Sequence, residues 1–397
     1  MKKGRVIIGA NFGDEGKGLM TNFCCSKAEN PIVVRYNSGA QAGHTVYYNE
    51  LRHVFGHFGA GTLQGIPTYL SRYFVVNPIL FIKEYKELER KGIKPVVYVD
   101  TESYVTTPYD MLLNQIAESS RKENRHGSCG IGFNETIIRC ADERYNLQVK
   151  DLYGKDAMKK VKRIKEEYLK KRLAELKVTK IDKKYRELIK SDSLLIKFSS
   201  DLQKFKKYVE VKKFSELNNK TLIFEGAQGL MLHEGYKYFP YVTHSKTGIE
   251  NVAELLSENN ISDIQLEAIY VTRCYLTRHG AGPLPGEIRK KIYSNIVDLT
   301  NRPNRFQGVL RFAPINLDLI KENIDEDLQK IDLEKYSVKK SIALTCLNQI
   351  GDEKVLYTME NELRKAELSQ FINDFKVYLG DKYKYYLCYD KLGKKII

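Results

Sequence analysis

Short apolar runs of strand length alternate with amphipathic stretches along much of this 397-residue chain. Residues 6–8, 32–36 and 96–99 are rich in valine and isoleucine, which is typical of buried strands. Residues 80–90, between the second and third of these runs, have the pattern of a helix. Strands that alternate with helices favour a parallel sheet with helices packed on it. The chain is therefore predicted to have an α/β fold, with a central, mostly parallel sheet flanked by helices.

The first apolar run leads directly into a glycine-rich segment, residues 9–18, with the sequence GANFGDEGKG. Backbone N–H groups at a glycine-rich turn and at a helix N-terminus attract anions, and Lys17 adds a positive charge at the same point. The ordinary P-loop pattern nevertheless fails, because position 11 is Asn11 and because Gly18 has no hydroxyl group to hold Mg²⁺. The segment is therefore predicted to be a P-loop-like phosphate site of an unusual kind.

Two polar residues in this part of the chain are candidates for chemistry. Asp14 lies inside the anion-binding segment, where a carboxylate would repel phosphate unless a metal lies between them or the group transfers a proton. The plain alternative is a surface carboxylate on a turn. His44 ends a loop of small residues that follows the second strand, which is where open α/β sheets place their ligands. We predict that His44 is an acid or a hydrogen-bond donor, although a lone histidine is often structural.

Composition narrows the class of protein. The chain is 42% hydrophobic, which allows a large core, and it has no apolar run of about 18 residues that could cross a membrane. A soluble, cytoplasmic protein with no membrane partner is expected. The seven cysteines are scattered and show no zinc spacing, so reduced thiols are expected.

The net charge of +15 is concentrated in one place. Residues 151–190 contain 15 lysines and arginines against seven acidic residues, so this stretch alone carries +8. Its apolar residues, among them Val161 and Ile164, recur at roughly helical spacing, so a solvated helical face is the favoured interpretation and nucleic acid is an unlikely partner. A non-catalytic protein that binds nucleotides or nucleic acid remains the alternative from another class.

Several motifs, taken in order, resemble the adenylosuccinate synthetase family. They are GDEGKG at 13–18, AGHT at 42–45, EGAQG at 225–229, YVT at 241–243 and TRHGAGPLPGE at 277–287. The resemblance extends over about residues 4–315. It implies one domain over 1–397, with a lysine-rich helical subregion at about 150–220 and a divergent donor-base region at about 335–397. It also implies a homodimeric ligase that joins L-aspartate to carbon 6 of inosine monophosphate, using a nucleoside triphosphate and Mg²⁺.

The resemblance further implies a role for particular residues. The expected catalytic residues are Asp14, Lys17 and His44, and the expected Mg²⁺ contacts are Asp14 and Gly43. The donor and its phosphates are expected at Gly13, Glu15, Gly16, Gly18 and Asn348. The acceptor nucleotide is expected at Gln41, Ser128, Gln228 and Thr243, and at Arg139, which would reach into the partner subunit. The substrate aspartate is expected at Thr300, Arg302 and Arg305, where Arg305 stands in for a family arginine that falls on Asn304.

The C-terminal part departs most from the family pattern. Asn348 occupies the place of the aspartate that reads the guanine of GTP, and the closing G-P-x-R segment is absent. An amide offers one acceptor group and one donor group where a carboxylate offers two acceptors, so selectivity for guanine is expected to fall. We predict ATP or dATP as the donor, or low donor selectivity. The alternative acceptor is dGMP, as in a viral branch of the family, but the retained Asp14 favours inosine monophosphate.

Overall fold

The computed structural model describes residues 2–121, 126–301 and 308–397. Its strands, in chain order, are β1 Lys2–Gly9, β2 Pro31–Arg35, β3 His44–Tyr48, β4 Leu51–Phe55, β5 Thr68–Leu70, β6 Val97–Val99, β7 Glu210–Val211, β8 Thr221–Glu225, β9 Ile264–Arg273, β10 Tyr275–Arg278, β11 Arg311–Asn316, β12 Val338–Thr345, β13 Val355–Met359, β14 Glu362–Ala366 and β15 Lys384–Leu387. Its helices are α1 Lys17–Ser26, α2 Pro78–Glu89, α3 Pro108–Arg121, α4 Phe133–Cys140, α5 Ala157–Arg163, α6 Leu169–Glu175, α7 Lys183–Lys190, α8 Ser193–Tyr208, α9 Glu250–Glu258, α10 Leu317–Leu328, α11 Leu333–Tyr336 and α12 Leu368–Leu379.

Nine strands form one sheet in the order β15-β12-β9-β1-β8-β2-β5-β6-β7, and every neighbouring pair is parallel. The predicted α/β class with a central, mostly parallel sheet is thereby confirmed. Two smaller sheets accompany it. One has the order β10-β11-β13-β14, and the other is the antiparallel pair β3-β4.

The first strand lies at the centre of the large sheet and is covered on both faces. Val6 and Ile8 point into an apolar cluster that includes residues of α9, α10 and α12. Ile7 points to the other face, where it packs with Met20 of α1. Successive side chains of a strand point to opposite faces, so a strand that is buried on both faces needs apolar residues at consecutive positions. The continuous apolar run at 6–8 meets this requirement.

Five neighbouring strands, β12, β9, β1, β8 and β2, end at the same edge of the sheet because they run in parallel. The segments that follow these ends contain most of the residues singled out by the sequence. Loops beyond the carboxyl ends of parallel strands are the usual place for a ligand in such folds. The fold therefore gathers segments that are more than 300 residues apart in the chain.

The lysine-rich stretch folds as helices with a core of their own. Val161, Ile164 and Leu169 are buried, and they pack in a cluster with Phe81 of α2 and Phe205 of α8. The lysines of this stretch lie mainly on its outer faces. None of the described helices is long and apolar enough to cross a membrane, and all seven cysteines are free thiols.

A buried acid fastens α10 to the start of α9. Asp327 accepts hydrogen bonds from the backbone N–H of Ile249, at 3.1 Å, and from the hydroxyl of Tyr270, at 3.0 Å. Burial raises the pKa of Asp327 to about 6, although Lys330 and the two hydrogen bonds act in the opposite direction. The folded protein therefore holds a proton here at pH values where the unfolded chain has lost it.

We expect the contribution of Asp327 to the free energy of unfolding to decrease as pH rises from about 4 to 6, by up to about 3 kcal/mol. The measurement is urea unfolding of the natural protein and of Asp327→Asn at several pH values, because the difference between the two isolates this group. A difference that stays constant between pH 4 and 7 would contradict the prediction.

Candidate active site

The phosphate loop between β1 and α1 is built around an internal carboxylate. Oε1 of Glu15 accepts hydrogen bonds from the backbone N–H groups of Gly13, at 2.7 Å, and Asn11, at 3.1 Å. Its Oε2 lies 2.6 Å from Nζ of Lys17, and both side chains are buried. The Glu15 side chain therefore braces the loop from inside, so any contact of Glu15 with a phosphate would have to come from its backbone.

Asp14 occupies a left-handed backbone conformation, with φ of 61°. Such a conformation is costly for most residues with a side chain, of the order of 1–3 kcal/mol, although aspartate tolerates it better than most. The Asp14 carboxylate is partly exposed and makes no hydrogen bond or ion pair with the described residues. The loop thus presents a carboxylate that has no partner among the described residues, beside a glycine-rich turn.

His44 is paired with a carboxylate that arrives from another strand. Its Nδ1 lies 2.7 Å from Oε1 of Glu225, the last residue of β8. The other carboxylate oxygen accepts the backbone N–H of Ala60 at 3.0 Å and lies 3.9 Å from Nε of Arg35. Since Nδ1 is committed to Glu225, the ring is oriented with Nε2 as its free nitrogen.

The two partners shift each other's proton affinity. Burial lowers the pKa of His44, and the Glu225 carboxylate opposes that change. Burial would raise the pKa of Glu225, but the charge and the hydrogen bond of His44 and the charge of Arg35 lower it overall. Glu225 is therefore ionised and ready to stabilise a positive charge on the His44 ring.

Glycines let the surrounding segments approach the loop closely. A Cβ added to Gly18, at the start of α1, would lie 3.0 Å from Cβ of His44. A Cβ on Gly229 would lie 2.3 Å from the carbonyl oxygen of Asn11. These contacts bring Lys17, His44 and the turn that contains Gln228 to one place.

The residues predicted to hold the acceptor nucleotide lie on several segments. Gln228 follows β8 in a left-handed conformation, with φ of 63°. Gln41 has a buried amide group with no hydrogen-bond partner among the described residues. Thr243 is held by its backbone N–H, which donates to Leu232 at 2.9 Å, and Ser128 accepts a hydrogen bond from Asn114 at 2.8 Å. An unpartnered buried amide is the observation that most favours a ligand here, since such groups are costly to leave unpaired.

Arg139 has a different position from the one expected. It is fully buried, and its guanidinium group makes a double ion pair with Asp110 of α3, with distances of 2.8 and 3.0 Å. Its remaining bonds go to the backbone oxygens of Val105 and Tyr145. With every nitrogen engaged, this side chain braces α4 against α3 and does not extend toward a partner subunit, so it is left out of the proposed site.

The segment predicted to hold aspartate begins beside His44. The hydroxyl of Thr300 lies 2.7 Å from that of Thr45 and accepts a hydrogen bond from Arg52 at 2.9 Å. The carboxylate of Asp298 fixes the same turn by accepting the backbone N–H groups of Thr300 and Asn301, each at 2.8 Å. Arg302 and Arg305 lie outside the described residues.

Asn348 is exposed on a short 3-10 turn that follows β12. The turn is tied to the phosphate loop, because the hydroxyl of Thr345 donates to the backbone oxygen of Glu15 at 2.7 Å. The next residue, Gln349, accepts a hydrogen bond from the hydroxyl of Tyr275 through its side-chain oxygen. Asn348 is thus placed on a segment anchored to the loop, with its side chain open to solvent.

The described residues offer one carboxylate for a cation at this edge. Within residues 2–121, 126–301 and 308–397, no three histidine, cysteine, aspartate or glutamate side chains are grouped so as to hold a metal ion alone. Mg²⁺ is commonly bound by one or two carboxylates together with substrate phosphates and water. The unpaired carboxylate of Asp14 suits an ion of that kind, and Gly43, the other residue predicted to contact the metal, is exposed.

Two residues on which the site depends have no role in the motif-based prediction. Glu225 stands in EGAQG, but only the folded sheet shows that it meets His44, 181 residues away. Arg273 ends β9 and donates a hydrogen bond to the backbone oxygen of Asp14. A charged residue at the last position of a buried strand was the one available signal in both cases.

A parallel sheet that carries a phosphate loop and a carboxylate–histidine pair at its carboxyl edge is typical of an enzyme acting on phosphorylated compounds. Comparison with known proteins is more specific. The family model described as adenylosuccinate synthetase matches residues 6–306. The chain therefore belongs to the adenylosuccinate synthetase family, a family of ligases.

Among individual relatives, the adenylosuccinate synthetase of Wigglesworthia glossinidia brevipalpis is 32% identical over 302 residues, which cover 72% of this chain and 66% of that protein. The adenylosuccinate synthetase of Clostridium botulinum, strain Alaska E43, is 30% identical over 294 residues, which cover 71% of this chain. The match spans 65% of the length of that relative.

Two solved structures share the fold. One is described as fully ligated adenylosuccinate synthetase from Plasmodium falciparum, with a TM-score of 0.72 and 18% identity over 99% of each chain. The other is a succinoaminodeoxyadenylate synthetase of cyanophage S-2L, described as bound to dGMP and to dATP as an energy donor. It has a TM-score of 0.61 and 13% identity, and the match covers 100% of this chain and 95% of that chain.

The pairing of His44 with Glu225 can be tested by NMR of the histidine side chains. The substitution Glu225→Gln removes the negative charge that opposes the effect of burial on the pKa of His44. That pKa should therefore fall further below its ordinary value. A matched control is Glu84→Gln, because Glu84 lies beside His53 and His57 instead. The expected result is a shift of the His44 titration in the first variant and none in the second. An unchanged His44 titration in Glu225→Gln would show that the pair does not form.

Proposed function

We propose that this protein joins L-aspartate to carbon 6 of a 6-oxopurine nucleotide, with inosine monophosphate as the acceptor and a nucleoside triphosphate as the phosphoryl donor. The observation that carries the proposal is the convergence of Asp14, Lys17 and the His44–Glu225 pair at one edge of the sheet. Membership of the family supports the same reaction.

The chemistry requires these groups because the 6-oxygen of the purine is a poor leaving group. The γ-phosphoryl group is first transferred to the 6-oxygen, and the proton on ring nitrogen 1 passes to the Asp14 carboxylate. The amine of aspartate then attacks carbon 6, inorganic phosphate leaves with the former 6-oxygen, and the amine nitrogen gives up one proton to the departing phosphate. The first half of the reaction turns the 6-oxygen into a good leaving group, and the second half displaces that group.

His44 acts on the oxygen that receives the phosphoryl group. With Nδ1 bound to Glu225, only Nε2 can donate a hydrogen bond to the 6-oxygen, and it does so when both ring nitrogens carry a proton. The ionised Glu225 stabilises that protonated ring. Lys17 contributes positive charge beside the phosphates, where it is already held by Glu15.

Mg²⁺ is the proposed metal, and Asp14 and Gly43 are the residues that would hold it. When bound, it would neutralise charge on the donor phosphates. With a single protein carboxylate at this point, the ion should bind far more tightly together with the triphosphate than alone.

The donor is proposed not to be strictly GTP. Asn348 lies on the turn anchored to the phosphate loop, and its amide cannot accept two hydrogen bonds from guanine as a carboxylate can. ATP or dATP is therefore the favoured donor.

A second candidate is the reaction with dGMP as acceptor. It is favoured by Asn348, since an enzyme that acts on a guanine nucleotide gains by not using GTP as donor. The structural neighbour from cyanophage S-2L is described with dGMP and dATP, but at 13% identity that likeness supports the fold alone. Asp14, which this chain retains, favours inosine monophosphate.

The family resemblance also supports a cytoplasmic homodimer as part of the proposal. Light scattering of the purified protein would measure a mass of about twice 45.9 kDa if the dimer forms.

An assay of phosphate release with L-aspartate tests the reaction and both substrates at once. The acceptors are IMP, dIMP, GMP and dGMP, and the donors are ATP, dATP and GTP. We expect turnover with IMP and with ATP or dATP. Turnover with GTP alone would refute the proposed donor, turnover with dGMP alone would support the second candidate, and no turnover with any pair would refute the proposed reaction.

Asp14→Asn and His44→Ala should each lower kcat by about 30- to 1,000-fold, because each removes about 2–4 kcal/mol of transition-state stabilisation. Arg144→Ala is a control, since Arg144 is 68% exposed and pairs with Asp142 away from the site. Normal turnover by a folded Asp14 or His44 variant would refute its catalytic role.

Asn348→Asp should raise the preference for GTP over ATP, measured as the ratio of their kcat/KM values, by about tenfold or more. The carboxylate would accept two hydrogen bonds from guanine, whereas the amide accepts one. Asn348→Ala serves as the control, because it removes the amide without adding a carboxylate. If the two variants changed the ratio equally, Asn348 would not be the residue that reads the donor base.

A further inference from the structure

Arg273 lies at the centre of the catalytic edge. It is the last residue of β9, which pairs with β1 on one side and with β12 on the other. The phosphate loop follows β1, and the turn with Asn348 follows β12. Arg273 therefore stands between the catalytic loop and the proposed donor-base turn.

Its guanidinium group bonds to both sides. Nε donates to the backbone oxygen of Asp14. Nη1 donates to the hydroxyl of Tyr275 at 3.1 Å, and that hydroxyl donates to the side-chain oxygen of Gln349, the neighbour of Asn348. A continuous chain of three hydrogen bonds thus links the backbone of Asp14 to the donor-base turn.

Two carboxylates, those of Asp14 and Asp298, act on the charge of Arg273. Burial lowers the pKa of Arg273, but Tyr275, Cys346 and the carboxylates of Asp14 and Asp298 raise it overall. Asp298 holds the turn that presents Thr300. The guanidinium group is therefore a fixed positive charge shared by the catalytic loop and the segment proposed to bind aspartate.

We propose that Arg273 is a positioning residue for the reaction: it holds Asp14 in its left-handed conformation and couples that conformation, through Tyr275 and Gln349, to the turn that receives the donor base. The inference rests on the proposed function. A bound donor that moves the turn would therefore change the geometry of Asp14, the proposed general base. Such coupling is expected when hydrogen bonds to two segments share one residue, here Arg273.

The left-handed backbone of Asp14 is the reason a positioning residue is needed. The carbonyl oxygen that Arg273 holds belongs to the strained residue itself, so the hydrogen bond acts directly on its conformation. A misplacement of about 1 Å at a catalytic group can cost about 100-fold in rate.

The experiment compares three arginine variants, with IMP and L-aspartate and with ATP as donor. Arg273→Ala should lower kcat by about 100-fold with little change in the KM for IMP, and added guanidinium ion, below denaturing concentration, should restore part of the loss. Arg273→Lys, which keeps the charge, should retain more activity than Arg273→Ala. The matched control is Arg5→Ala, because Arg5 bonds to Glu267 in the middle of the same two strands, away from their carboxyl ends.

Tyr275→Phe separates the two ends of the chain of hydrogen bonds. It keeps the bond from Arg273 to Asp14 and removes the link to Gln349, so it should raise the KM for the donor and alter the ATP to GTP ratio while kcat falls far less than in Arg273→Ala. A structural role alone would instead lower thermal stability and leave guanidinium without effect.

The outcomes are distinguishable. No turnover by the natural protein with any substrate pair refutes the proposed function. Turnover by the natural protein together with an Arg273→Ala variant that behaves like Arg5→Ala refutes the role of Arg273. A loss of rate that guanidinium does not restore, or a Tyr275→Phe variant with unchanged donor kinetics, also overturns the proposal as stated.

Discussion

The parallel pairing of β1 with β8 and β9 is the constraint on which the site depends. Because parallel neighbours end at the same edge, the residues after Gly9, Glu225 and Arg273 must meet there, whatever their separation in the chain. The register is fixed by apolar residues on both faces of β1, so a slip by one residue would exchange its two buried faces. The same strand pairing therefore determines both the packing of the sheet interior and the placement of the groups proposed to be catalytic.

The part of this arrangement that local patterns encode could be predicted from the sequence. The strand at 6–8, the glycine-rich loop and the free carboxylate of Asp14 each follow from residues within one short stretch. Contacts between distant residues could not, since a carboxylate at a strand end has no visible partner until the sheet order is known. Glu225 meets His44 across 181 residues, and Arg139 turns inward because α3 presents Asp110 to it. The positions of Glu225 and Arg139 in the chain suggested neither of these contacts.

Four charged side chains are buried at this edge of the sheet. Lys17, Glu15, Arg35 and Glu225 are each almost completely removed from water. Such groups are expensive to bury, and they are tolerated here because each has an ionic or hydrogen-bonding partner. A protein optimised for stability alone would use apolar residues at these positions. At this edge Glu15 and Glu225 serve as fixed counter-charges for Lys17 and His44.

The glycine at position 18 has a consequence for how this loop relates to ordinary P-loops. A serine or threonine there would carry the hydroxyl that usually holds Mg²⁺, but its Cβ would lie 3.0 Å from that of His44. The backbone oxygen of Thr45 would lie 3.3 Å from the same Cβ, so the contact is with the start of β3 itself and does not depend on the imidazole. Any side chain at position 18 would require β3 and α1 to move apart by a few tenths of an ångström. The close packing of β3 on α1 and the lack of a metal-binding hydroxyl at the start of this helix are therefore two results of the same glycine.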